Sequence, residues 1–92
     1  MKIQEGYLQC NVSNGMFTNE YAVEITLSGG GTASLFLDKG LVRVNGKEHS
    51  GYMPVNFLSN SKGKEITVLL PKEALEQGTR WVKVPSGHLQ PK

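Results

Sequence analysis

Polar and apolar residues alternate along most of this chain. From Tyr21 to Ser28, Tyr21, Val23, Ile25 and Leu27 fall on one face, and Ala22, Glu24, Thr26 and Ser28 on the other. Successive strand side chains point to opposite sides of a sheet, so this spacing predicts a half-buried strand. Upstream, Leu8, Cys10 and Val12 alternate with Tyr7, Gln9 and Asn11, and Ser13-Asn14-Gly15 breaks the run as a turn. Residues 3–12 and 17–28 therefore predict a first hairpin.

Gly29-Gly30-Gly31 marks a second turn, leading into the apolar segment 33–37, and Asp38-Lys39-Gly40 marks a third. Leu41 to Val44 reads as a short strand closed by Asn45-Gly46, a pair that accepts the positive φ angles of a tight hairpin turn. Residues 53–58 contain Pro54, which has no N–H to donate, so they read as an edge strand or an irregular segment. A loop at 60–64 precedes a strand at 65–70 with Ile66, Val68 and Leu70 on one face. Pro71 to Gln77 is the one helical candidate. Proline suits a first helical position, and Gly78 suits the position past the end. Trp81 to Val84 is the last predicted strand, and the tail 86–92 is expected to be loosely ordered.

Together these elements predict a single all-β domain over residues 1–92. It is a small barrel or two-sheet sandwich of six to seven short strands, with one short helical turn near 71–77. A strand, one helical turn and a final short strand resemble the C-terminal half of SH3-like barrels, a likeness of fold that implies no activity. Strand parity assigns Leu8, Cys10, Val12, Val23, Ile25, Leu27, Leu35, Leu37, Ile66, Val68, Leu70, Val82 and Val84 to the core.

Composition narrows the function classes. The hydrophobic share of 38% supports a core, and no run approaches the length needed to cross a bilayer, so no membrane role is expected. The first six residues lack the apolar region of a signal peptide, and one cysteine cannot form an internal disulfide. Both point to the cytoplasm, where the sequon Asn11-Val12-Ser13 would meet no glycosylation machinery. The net charge of +2 is too small to argue for nucleic acid by itself.

Catalytic and cofactor motifs are not expected either. The triple glycine runs into a strand, without the Lys-Ser/Thr and helix N-terminus of a phosphate loop. Cys10 shares the parity of Leu8 and Val12, which predicts a buried, inert thiol. His49 and His88 lack the short ligand spacing of zinc sites. Glu20, Glu24, Asp38 and Glu48 could meet as paired carboxylates, but a chain this small offers little cleft for them. The sequence thus predicts no enzyme, no cofactor and no metal.

What the alternation leaves over is more informative. If Leu35, Leu37, Val42, Val44, Val82 and Val84 face inward, then Phe36, Leu41, Arg43, Trp81 and Lys83 face outward, and Tyr7 and Leu69 are out of phase in the same way. Large apolar groups outside a small core are buried by a second sheet, a second subunit or a ligand. Trp81, Phe36, Leu41, Arg43, Lys83 and Tyr7 are therefore the candidate interaction residues. They predict a non-enzymatic module that self-associates as a homo-oligomer. The alternative is a single-stranded nucleic-acid-binding barrel, with Trp81 and Phe36 as a stacking platform and Arg43 and Lys83 at its rim.

Overall fold

The computed structural model describes residues 3–45, 49–58, 63–75 and 78–92. The alternating segments form strands β1 (Ile3–Asn14), β2 (Glu20–Thr26), β3 (Thr32–Asp38), β4 (Arg43–Val44), β5 (Ser50–Leu58), β6 (Glu65–Leu69), β7 (Trp81–Pro85) and β8 (Leu89–Pro91). All eight join one antiparallel sheet in the order β3-β2-β1-β5-β6-β7, with β4 added to β5 and β8 to β1. The sheet curls into a half-barrel rather than splitting into the two layers of a sandwich. The turn after β2 reaches β7, where the Ser28 N–H donates to the Lys83 carbonyl at 3.0 Å.

The first hairpin lies where alternation predicts it, with Val12 opposite Val23. The triple glycine makes the β2–β3 turn. Gly30 and Gly31 adopt φ of 87° and 81°, values open to glycine at little cost. Asn45-Gly46 does not close a two-residue turn, because Val44 pairs Gly51 and the Asn45 N–H donates to the Ser50 carbonyl. Gly46 itself lies outside the described residues, as do Lys47 and Glu48.

Strand β5 corrects the edge-strand expectation. It pairs β1 through nine residues, Ser50 to Leu58 against Asn11 to Ile3, and so lies in the middle of the sheet. Pro54 fits there because of strand parity. A residue's N–H and C=O point to the same edge, and alternate residues point to opposite edges. The Ser50 carbonyl serves β4, so the even-numbered residues of β5 face away from β1. On that edge β4 pairs residues 51–52 and β6 pairs 56–57. Pro54 faces the gap between them, where no ladder bond is lost.

The predicted core residues are buried, except that Leu27 and Ile66 are half-buried and pack at its rim. Met53, Val55 and Phe57 from β5 join them, with Ala33, Val42 and Ala74. Val44, expected inside, is 43% exposed. Strand β4 is two residues long and, among the described residues, pairs β5 alone, so Val44 sits at the sheet margin.

The helical turn expected near 71–77 reduces, in its described part, to one α-type closure. The Gly78 N–H donates to the Ala74 carbonyl at 2.9 Å, with Gly78 at φ 65°. Residues 76–77 lie outside the described residues. The described 3₁₀ turns are instead Lys39–Leu41 and Ser86–His88. Residues 71–75 form a strap on the free edge of β3, where the Leu75 N–H donates to the Ser34 carbonyl at 2.8 Å. Such cover blunts an edge that would otherwise pair with another chain. The tail is ordered by β8, which pairs Gly6, Tyr7 and Leu8 of β1.

Candidate functional site

The side chains that parity directs away from the core form the outer face of the sheet. Trp81 is the first residue of β7 and stands opposite Leu69 of β6. Its indole is 44% exposed, and its backbone N–H donates to Thr79 Oγ1 at 3.2 Å. Two positions on, Lys83 also faces out. Its Nζ lies 3.8 Å from Glu65 Oε1, and Ser28 Oγ donates to the other oxygen of that carboxylate at 2.8 Å. Both partners are well exposed, so the pair is screened and adds little stability.

Tyr7 and Arg43 come together across β5. The guanidinium carbon lies 4.9 Å from the centroid of the Tyr7 ring, within the range of a cation–π contact. Gln90 Nε2 donates to the Tyr52 hydroxyl at 3.4 Å on the same face. The gap beside Pro54 opens here into a concavity of about 430 Å³, bordered by Tyr7, Pro54, Leu69, Pro71 and Arg80. At its rim Lys92 Nζ lies 3.1 Å from Glu5 Oε2, a contact that raises the lysine pKa by hydrogen bond and charge.

Phe36 and Leu41 are not part of this surface. Phe36 is half-buried on β3 and borders a second concavity, of about 470 Å³, between β3 and the strap. Lys72 Nζ donates to the Phe36 carbonyl there at 3.3 Å. Leu41 is 47% exposed at the end of a 3₁₀ turn. That turn is fastened to the β1–β2 loop, because the Lys39 N–H donates to the Asn19 carbonyl at 2.9 Å. The loop carries Met16 and Phe17, 77% and 67% exposed. Sequence reasoning passed over both. The available signal was two large apolar residues directly after the turn cluster Ser13-Asn14-Gly15.

The groups that could do covalent or metal chemistry are dispersed. Cys10 is buried, and burial pushes its thiol from 9.0 up to about 11. The register sets Glu20 of β2 opposite Asp38 of β3 and Glu24 opposite Ser34, while Glu48 lies outside the described residues. Among the described residues, no three of His, Cys, Asp and Glu converge as a metal ion would require. Among them, too, no helix is long and apolar enough to cross a membrane. Comparison with known proteins returned no match to a family model, to a characterised protein or to a solved structure.

Proposed function

We propose that this protein is a non-enzymatic interaction module that self-associates through its exposed apolar and aromatic side chains. The carrying observation is that Met16, Phe17, Leu41, Leu75 and Trp81, spread over the loops, the strap and β7 of one small domain, are between 44% and 77% exposed. Single exposed apolar residues are ordinary, but this many large ones on so small a surface suit a partner's surface. Trp81 is the anchor on the outer face, since tryptophan buries much area with few torsions to freeze. The lone buried thiol suits a cytoplasmic setting.

The runner-up is binding of single-stranded nucleic acid. The Arg43–Tyr7 contact, with Trp81 directed outward on the same sheet, supports it as a stacking surface. Charge counts against it, because Lys83 and Lys92 are each already paired with a carboxylate.

Light scattering across a concentration series, at low and high salt, tests the proposal. Mass should rise with concentration and persist in high salt, because apolar association does not depend on ionic attraction. Trp81→Ala should lower the mass while the melting temperature stays near the parent's. A protein monomeric throughout, with salt-sensitive oligonucleotide binding abolished by Trp81→Ala, would replace this reading with the runner-up.

A further inference from the structure

Glu20 opens β2, Asp38 closes β3, and the register sets them opposite each other. Like charges in that position repel. Neither carboxylate has an ion-pair partner among the described residues. Lys39, the residue after Asp38, holds its ammonium 4.9 Å from the centroid of the Tyr21 ring. The Glu20 side chain lies at the base of the β1–β2 loop, its Cγ 2.9 Å from where a Cβ on Gly15 would stand. Met16 and Phe17 project beyond it into solvent. The loop is thus an apolar tip on an acidic base.

The concavity between β3 and the strap has the opposite character. Phe36 and Leu75 are among its lining residues, and its described cations are Lys72 and Arg80. Arg80 Nε donates to the Leu70 carbonyl at 2.8 Å, which fixes the guanidinium and leaves its terminal nitrogens without a partner among the described residues. Among the described lining residues Glu73 is the one acid, against the two cations Lys72 and Arg80.

We propose that the groove receives the Met16–Phe17 tip of a second copy of this chain, with Glu20 and Asp38 facing Lys72 and Arg80. This assignment rests on the self-association proposed above and adds to the outer-face contact of Trp81 a second one, at the Asp38 end of β3. Phe36 of the groove and Asp38 of the tip lie two residues apart on β3, so both features share one end of the sheet. A two-fold exchange then satisfies both contacts at once and closes at a dimer. The charges set the register, and the apolar tip supplies the buried area.

Charge exchange tests the contact. Glu20→Lys/Asp38→Lys alters the tip, and Lys72→Glu/Arg80→Glu alters the groove. Each variant alone should dimerise at least about tenfold more weakly in sedimentation equilibrium, since every contact then opposes like charges. An equimolar mixture should recover the dimer, because both contacts of the mixed pair again join opposite signs. Arg80 also holds Leu70, so Glu20→Lys mixed with Lys72→Glu repeats the test with that bond intact. Phe17→Ser should weaken the dimer without changing any charge. If the parent dimerises and the charge variants dimerise equally well, or the mixture fails to recover, the tip-in-groove contact is wrong and self-association stands. A parent that is monomeric at every concentration overturns both.

Discussion

Gly51 offers the sharpest test of how the sheet is built. It lies in β5, opposite Cys10 of β1 on one side and Val44 of β4 on the other. A Cβ placed there would overlap the Arg43 carbonyl oxygen and would stand 3.2 Å from both the Arg43 carbonyl carbon and Val12 Cγ2. The first obstacle is backbone, so no rotamer change relieves it. Strand β4 must move off β5, giving up the Arg43–Tyr52 and Val44–Gly51 pairs and disturbing Arg43 over Tyr7. Overpacking of this kind costs about 1–3 kcal/mol. In a domain of this size each kcal/mol lowers the melting temperature by about 4–8 °C. Gly51→Ala should therefore melt roughly 4–24 °C below the parent by circular dichroism. Gly29→Ala is the control, because a Cβ there meets nothing within 4 Å. It should be neutral, or stabilise by up to about 1 kcal/mol through a less flexible unfolded chain. Gly51→Ala melting with the parent, or Gly29→Ala losing as much, would refute the pairing of β4 on β5.

Four further outcomes follow from the same structure. Ile25→Ala should cost about 2–5 kcal/mol through lost burial and a residual cavity, whereas Thr26→Ala on the opposite face should stay within about 0.5 kcal/mol in urea unfolding. Cys10 should react with a thiol reagent at pH 8 at least roughly a hundredfold more slowly in the folded protein than in denaturant, because both burial and its raised pKa suppress the thiolate. The same shift sets an alkaline limit: stability from the neutral thiol is intact below 9.0 and is lost as pH rises through about 11, seen as a falling melting temperature over that window. The amide hydrogens of Met53 and Val55, directed at β1, should exchange among the slowest in the protein; fast exchange at both would return β5 to the sheet edge.

Alternation alone determined which residues of β1, β2, β3, β6 and β7 face the core. Strand side chains repeat every two residues, so an unbroken apolar period assigns a face without knowing the neighbouring strand. It also directed Trp81, Lys83, Tyr7 and Arg43 outward, as the structure has them. The same local rule failed at β5, because proline's missing donor matters only if a neighbour needs it, and the gap between β4 and β6 is a property of pairing. It failed at Val44 as well, whose inward phase ends where the sheet ends. Which outward residues would meet was equally out of reach. The sequence grouped Tyr7, Arg43, Trp81, Lys83, Phe36 and Leu41 as one surface, and strand order divided them between the outer face and the far end of β3. Glu20 and Asp38 are separated by a whole hairpin in sequence, and only the β2–β3 register set them face to face. Side-chain direction is fixed by the backbone of a single strand, whereas juxtaposition needs the order, register and curl of the whole sheet.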